Sequence, residues 1–202
     1  MPTVPIRFAH PMGFALFQLI VLATSLAAAP LNYVESIDGD LGPSATNPRF
    51  LDFDVGVNRI SGIMGKAPSL PPDADYFTFT LQPGEFLTSI NVVAQSFSGN
   101  FYAIQTGSTI NTGNGSAHLF NTLVTGVGEL TDNPRYEPSS GAVDAFPDPL
   151  GTGTYTVWYQ ELGGVVNYTF DYTVTAIPEP SSFAALAGLA GLALAASRRR
   201  RT

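Results

Sequence analysis

The sequence predicts an all-β protein whose central part folds as an antiparallel β-sandwich of jelly-roll-like topology. Apolar and polar residues alternate along several short stretches, which is the pattern of a half-buried strand. Gly, Pro, Asn and Asp separate these stretches at short intervals, as turns require. No stretch of comparable length in the central part has the spacing of an amphipathic helix. Frequent short strands with turn residues between them are typical of sandwiches and barrels.

The clearest strand covers residues 76–81, Tyr-Phe-Thr-Phe-Thr-Leu. Its alternation places the two phenylalanines and the leucine on one face, and the tyrosine and the threonines on the other. A Pro-Gly turn at residues 83–84 leads into a second strand, which is predicted over residues 86–94.

Two later strands are predicted over residues 154–160 and 166–175, and Gly163-Gly164 between them favours a hairpin. The second strand carries one apolar face, formed by Val166, Tyr168, Phe170, Tyr172 and Val174. If Tyr155, Val157 and Tyr159 of the first strand join that face, Trp158 points outward.

The N-terminal residues 1–29 have the organisation of a signal peptide that signal peptidase removes. A short polar region with Arg7 precedes an apolar helix over residues 12–26, and small residues follow at 27–29. An uncleaved N-terminal anchor is the alternative. Removal of the signal peptide leaves residues 30–176 as one β-sandwich domain, whose size is sufficient for its own core.

The C-terminal residues 177–202 combine a Pro-Glu-Pro sequence with an apolar run over residues 181–196. As a helix this run covers roughly 24 Å, which approaches the roughly 30 Å of a bilayer's hydrocarbon core. Arginines resist translocation, so we expect a transmembrane helix over 181–196 that keeps the C-terminus in the cytoplasm and the preceding domain on the other side of the membrane. The arginines that follow the run are Arg198, Arg199, Arg200 and Arg201.

This tail, with Pro-Glu-Pro, an Ala/Gly/Leu-rich helix and a terminal arginine cluster, resembles the PEP-CTERM sorting signal of Gram-negative bacteria. The resemblance implies recognition by exosortase, an integral membrane cysteine protease that cuts near Pro-Glu-Pro and places the preceding domain outside the cell. It implies that Pro178, Glu179 and Pro180 are recognition residues. It also implies an association with exopolysaccharide and biofilm production.

The exported part is strongly acidic and contains no cysteine. Residues 28–177 hold four basic residues against fifteen acidic ones, a net charge of −11. A field of this sign repels nucleic acid, so no nucleic-acid partner is expected. The lack of cysteine excludes disulfides, thiolate metal sites and a thiol nucleophile in this part.

The sequence Asp-Ala-Asp-Tyr-Phe-Thr-Phe at residues 73–79, the Pro-Gly turn after it and Gly-Thr-Tyr-Thr-Val at residues 153–157 are similar to bacterial pre-peptidase C-terminal (PPC) domains. PPC domains are small β-sandwiches appended to secreted enzymes and surface proteins, where they bind or are processed without catalysing a reaction. The resemblance spans about residues 34–175 and implies the sandwich fold.

The exported part is not expected to be an enzyme. Its single histidine, His118, lies beside a Gly/Asn turn, and such a residue is expected to be exposed in a loop. No Gly-x-Ser-x-Gly sequence accompanies it. A glycosidase needs only two carboxylates, so a small secreted polysaccharide hydrolase is the alternative function.

Calcium is the one cofactor that the sequence suggests. Three aspartate pairs have a spacing that places both carboxylates on one face of an extended chain, where they offer hard oxygen ligands to Ca²⁺. The alternative is that aspartates beside Gly or Pro form turns. The candidate ligands are Asp38, Asp40, Asp73 and Asp75, and the third pair is Asp52 and Asp54.

Trp158 is the candidate ligand-binding residue. An exposed tryptophan flanked by the hydroxyls of Thr154 and Thr156 can stack on a sugar ring. Alternatively, Trp158 covers a neighbouring loop or belongs to the core of a second sheet.

These features together predict a non-catalytic exported protein of the cell surface or extracellular matrix. We expect Sec export, temporary anchoring in the inner membrane and then cutting by exosortase. Exopolysaccharide is the candidate ligand of the exported domain.

Overall fold

The computed structural model describes residues 29–177 except 66–72, 97–98, 114–116, 131–148 and 162, together with residues 188–192, 196 and 199. The predicted signal peptide, the Pro-Glu-Pro sequence and most of the predicted transmembrane helix lie outside the described residues. Where the structure describes helices, none is both long enough and apolar enough to cross a bilayer.

Two five-stranded sheets form the described part of the domain. Sheet A has the strand order β1-β3-β10-β5-β8, and sheet B has the order β2-β4-β9-β6-β7. The described elements in chain order are β1 (Asn32–Val34), α1 (Glu35–Asp38), β2 (Arg49–Phe50), β3 (Gly56–Gly65), β4 (Ala74–Leu81), β5 (Glu85–Gln95), β6 (Asn100–Thr106), β7 (Phe120–Val124), β8 (Gly128–Glu129), β9 (Gly153–Gln160) and β10 (Val165–Ala176).

The predicted β-sandwich is confirmed. The long strands pair antiparallel with their neighbours, as β3 and β5 do with β10 and β4 and β6 do with β9. The two short strands β1 and β2 pair parallel, with β3 and β4 respectively. Both sheets are therefore mixed at one edge.

The predicted hairpin between the two late strands is wrong. Strand β9 lies in sheet B and β10 in sheet A, so the chain passes from one sheet to the other between Gln160 and Val165. The strands nevertheless turn their apolar faces toward each other across the core. The ring of Tyr159 lies 5.0 Å from that of Tyr168 and 4.9 Å from that of Phe170. Two strands in facing sheets turn every second side chain toward the shared core, and two paired strands of a hairpin turn every second side chain toward one face. Both arrangements therefore give the same alternation of apolar residues in the sequence, which explains the error.

The core lies between the sheets and is rich in aromatic residues. The predicted inward residues of β4, Phe77 and Phe79, are buried there, as is Tyr172 of β10. The opposite face of β4 is also covered, because Tyr76 belongs to a second, smaller apolar cluster on the outer side of sheet B. Aromatic contacts across the core supply much of the buried apolar area that stabilises the sandwich.

Strand β10 occupies the middle of sheet A and is paired up to its last residue. Ala176 stands opposite Glu85 of β5, and the next backbone amide, that of Ile177, donates a hydrogen bond of 2.9 Å to the carbonyl oxygen of Gly84. The regular structure of the sandwich thus continues to residue 177.

Candidate functional site

Three carboxylates converge at one end of the sandwich. One oxygen each from Glu35, Asp40 and Asp75 lies within 4.8 Å of the other two. Glu35 opens the short helix α1 and Asp40 follows that helix, whereas Asp75 belongs to β4. Asp75 shares the inward face of β4 with Phe77 and Phe79, because side chains alternate along a strand. The N-terminal segment and sheet B therefore contribute to the same acidic cluster.

Asp75 is the unusual member of this cluster. It is 0 % exposed, and its Oδ2 accepts a hydrogen bond of 2.5 Å from the hydroxyl of Tyr168. Its other oxygen, Oδ1, is buried and has no hydrogen-bond partner among the described residues. Burial, and then the nearby charge of Glu35, raises the pKa of Asp75 to about 9. A buried carboxylate oxygen without a partner is costly, so this atom is suited to a ligand.

Backbone amides hold Glu35 in place. Its Oε2 accepts a hydrogen bond of 2.6 Å from the amide of Ile63, and its Oε1 accepts one of 3.1 Å from the amide of Leu41. Burial raises the pKa of Glu35, and these two hydrogen bonds oppose the rise. Each carboxylate oxygen keeps a second lone pair with which it can bind a cation.

Gly62 of β3 makes room for this arrangement. A Cβ atom at this position would collide with the carboxylate of Glu35 and with the hydroxyl of Tyr168. Only a residue without a side chain leaves both groups where they are.

A pocket of about 490 Å³ opens beside the cluster, where α1 meets β3 and β10. Glu35 and Asp40 belong to both the cluster and the pocket wall. The wall also contains hydroxyl, amide and apolar side chains, among them Ser61, Ile63, Asn167 and Thr169.

The cluster has dimensions that suit calcium. Oxygens that share one Ca²⁺ at about 2.4 Å are at most about 5 Å apart, and the three oxygens here meet that limit. Carboxylates are the hard ligands that Ca²⁺ prefers. The residues present therefore fit a calcium ion.

The structure brings together two of the four predicted metal ligands, Asp40 and Asp75, from different aspartate pairs. Asp38 instead accepts a hydrogen bond of 2.8 Å from the amide of Val34. Asp73 lies nearby, and burial followed by the charge of Asp40 raises its pKa. In the third pair, Asp54 accepts a hydrogen bond from the next amide, in a turn role.

Sequence reasoning missed Glu35. Its position, three and five residues before Asp38 and Asp40, made the acidic segment visible. Its approach to Asp75 depends on the parallel pairing of β1 with β3, which residue spacing alone does not reveal.

Trp158 belongs to the smaller apolar cluster outside sheet B. Its ring stacks on Tyr76 at 5.9 Å and 18° and meets Phe101 edge-on at 4.6 Å. Its Nε1 donates a hydrogen bond of 2.9 Å to Gln160. Trp158 thus points away from the main core as predicted, but these contacts favour the packing alternative over a free stacking platform.

His118 is not exposed, contrary to the expectation for a loop histidine. It is 3 % exposed, because its ring packs against Trp158 and Phe101. Its Nε2 lies 2.7 Å from the backbone carbonyl oxygen of Asn111, and its Nδ1 lies 3.4 Å from the side-chain nitrogen Nδ2 of Asn121. These contacts give His118 a structural place in the fold.

Comparison with known proteins gives a match at the C-terminal end. The sequence pattern of the PEP-CTERM protein-sorting motif matches residues 176–201. The chain carries a PEP-CTERM sorting motif. This motif marks the protein for export, for processing by exosortase and for sorting to the cell surface.

The chain is also similar to one solved structure. This is the pre-peptidase C-terminal domain of collagenase from Bacillus anthracis, whose crystal structure was solved at 1.0 Å resolution, with a TM-score of 0.35 and 12 % sequence identity. The similarity covers 63 % of this chain and 93 % of that one. No curated protein sequence matches the chain.

Proposed function

We propose that this chain is a non-catalytic protein of the cell surface or extracellular matrix, anchored in the inner membrane until exosortase cuts it. The observation that carries the proposal is the PEP-CTERM motif at residues 176–201. Signal peptidase removes the N-terminal signal peptide, residues 1–29, before that step. The run over residues 181–196 supplies the temporary anchor.

The position of the motif supports this proposal. It begins at Ala176, the last residue of β10, and Ile177 makes the last described hydrogen bond of the sandwich. A cut near Pro-Glu-Pro therefore removes no residue of either sheet. The released product keeps its whole core.

The processing step can be tested in cells with and without exosortase. The test variant replaces Pro178, Glu179 and Pro180 with alanine, and Asp52→Asn is the control, since it alters an exposed acid far from the motif. Mass spectrometry should find the control shortened and outside the cell. The alanine variant should keep its C-terminal arginines and stay in the inner membrane. Equal processing of both variants would overturn the proposal.

The geometry of the acidic cluster supports binding rather than hydrolysis. The two carboxylates of a glycosidase stand about 5 to 10 Å apart with the sugar between them. Here three oxygens lie within 4.8 Å of one another, which is closer than the carboxyl pair of a glycosidase and is within reach of one shared ion. Release of reducing sugar from exopolysaccharide by the purified protein, and its loss in Glu35→Gln, would instead support the hydrolase.

We further propose that Glu35, Asp40 and Asp75 bind calcium. Two observations carry this proposal. The three carboxylates each place one oxygen within 4.8 Å of the others, and Oδ1 of Asp75 is buried without a hydrogen-bond partner among the described residues, which a cation would satisfy. Calorimetry on the full chain in detergent should show binding that Asp75→Asn abolishes and Asp52→Asn leaves unchanged. Heat of the same size in the Asp75→Asn variant would exclude this site.

Exopolysaccharide is the proposed ligand of the exported domain. The resemblance of the tail to the PEP-CTERM signal supports it, through the association of that signal with exopolysaccharide production. A pull-down on the organism's own exopolysaccharide, with calcium and with chelator, tests the ligand directly. Failure to bind in both conditions would leave a surface protein that recognises other proteins.

A further inference from the structure

We infer that the pocket beside α1 binds a neutral saccharide, two neighbouring hydroxyl groups of which coordinate the ion held by Glu35, Asp40 and Asp75. This inference rests on the proposed calcium site and names the ligand of that site.

The first step concerns the coordination positions of the ion that the three carboxylates do not fill. Ca²⁺ takes about six to eight oxygen ligands, more than this cluster supplies if each carboxylate gives one oxygen. Asp75 is fully buried and is not part of the pocket wall, whereas Glu35 and Asp40 are. The unfilled coordination positions therefore face the pocket. Two adjacent hydroxyl oxygens of a sugar can fill two of them.

The second step concerns the pocket wall. Its volume of about 490 Å³ lies within the roughly 300–1,000 Å³ of small-ligand sites. Asn167 is exposed, so its amide can donate to and accept from sugar hydroxyls. Ile63 is 50 % exposed, and its apolar surface suits the C–H face of a sugar ring. The wall thus offers polar and apolar contacts around the ion.

The third step concerns charge. Besides the three ligands, Asp38 lies beside the pocket, since its carboxylate accepts a hydrogen bond of 2.8 Å from the backbone amide of Val34 in the pocket wall, and Asp73 stands two residues before Asp75. Arg49 binds the backbone carbonyl oxygens of Asp38 and Asp40 rather than their carboxylates. Five carboxylates against one arginine and one divalent ion leave a negative site. An acidic sugar would be repelled, and a neutral one is preferred.

This site is separate from Trp158. The pocket is built on α1 and sheet A, whereas Trp158 lies on the outer side of sheet B. The two candidate saccharide sites can therefore be tested independently with single substitutions.

The test uses the full chain in detergent and ligand-observed NMR. The probes are the methyl glycosides of mannose, galactose, glucose and fucose at millimolar concentration, with galacturonic acid as the acidic probe and a fully O-methylated mannoside as the probe without free hydroxyls. Each is measured with calcium and with EDTA. Calorimetry with calcium alone is run in parallel.

We expect at least one neutral glycoside to bind, and EDTA to weaken it by about ten-fold or more. Asn167→Ala should weaken the glycoside several-fold while calcium affinity stays the same. The matched control is Thr175→Ala, an exposed residue of the same strand outside the pocket. Trp158→Phe should leave the binding unchanged.

Three results would overturn the inference while calcium still binds: no neutral glycoside binds, binding is insensitive to EDTA, or galacturonic acid binds more tightly. Loss of the signal in Trp158→Phe but not in Asn167→Ala would place the saccharide on sheet B instead. If calcium itself fails to bind, the calcium proposal fails together with this inference. Processing by exosortase is unaffected by any of these results.

Discussion

The hydroxyl of Tyr168 in sheet A donates a hydrogen bond of 2.5 Å to Oδ2 of Asp75 in sheet B. This contact joins the two sheets at the acidic cluster. Burial, followed by the charge of Asp75, raises the pKa of Tyr168 well above its ordinary value, so Tyr168 remains a donor at every physiological pH. The stability of the folded state therefore depends on whether a proton or a bound cation neutralises the buried carboxylate of Asp75.

The stability of the cation-free protein should fall as the pH rises. The pKa of Asp75 is about 9 in the folded state against 3.8 for the unperturbed group. The folded state therefore binds more protons than the unfolded state between these values. The stabilisation is complete below about pH 4 and disappears as the pH passes about 9, with a total on the order of a few kcal/mol.

Thermal unfolding in EDTA measures this effect. The melting temperature should decrease between about pH 5 and about pH 9, and added calcium should remove most of the decrease because the ion compensates the charge. A melting temperature that rises with pH in EDTA would contradict the buried, protonated state of Asp75.

Asp75→Asn should remove the charge of this side chain while keeping its shape. The amide keeps an acceptor for Tyr168 but has no charge to bury, so the variant should lose the pH dependence and be more stable than the wild type above about pH 8 in EDTA. It should gain no stability from calcium. Chemical unfolding at two pH values gives both results, with Asp52→Asn as the control of equal charge change.

Gly62→Ala should damage the cluster through sterics alone. The added methyl group displaces the Glu35 carboxylate and the Tyr168 hydroxyl, which should cost about 1–3 kcal/mol and weaken calcium binding. Gly164→Ala is the matched control, since its Cβ meets nothing within 4 Å. Unfolding curves and calcium calorimetry on both variants decide the point. Equal behaviour of the two would show that Gly62 is dispensable.

Trp158→Ala should destabilise the fold whether or not it affects a ligand. The ring packs on Tyr76 and Phe101 and covers His118, so its removal should cost about 2–4 kcal/mol, toward the low end for a large aromatic residue because it is partly exposed. Trp158→Phe should cost less than about 1.5 kcal/mol. Denaturant titration gives both values. An unchanged denaturation midpoint in Trp158→Ala would contradict the packing role of Trp158 and favour its role as an exposed binding residue.

Alternation along the chain predicted which residues face the core, since period-two burial is a local property of a strand. Phe77 and Phe79 of β4 and Tyr168 and Phe170 of β10 are buried as expected. The choice of partner strand is not local. Either a paired hairpin or a crossing between facing sheets turns Tyr159 toward Phe170, and the Gly163-Gly164 sequence permits both.

The acidic cluster likewise depends on contacts between segments that are distant in sequence. Spacing suggested that each aspartate pair acts as a unit, yet Asp40 and Asp75 come from different pairs. They meet because β1 lies along β3 and because the amide of Tyr76 donates a hydrogen bond of 3.3 Å to the carbonyl oxygen of Gly42. The sorting motif was readable from sequence, because it is one continuous segment at residues 176–201.

The chain position of β10 has a consequence for export. The central strand of sheet A is the last to be synthesised, and its partners β3 and β5 lie far earlier in the chain. The pairing of β10 with both strands cannot form until residues 165–176 have been made. Since the sorting motif begins at residue 176, a chain that ends before residue 165 lacks both the strand that completes sheet A and the motif. Every chain long enough to carry the whole motif therefore also carries the strand that completes the sheet.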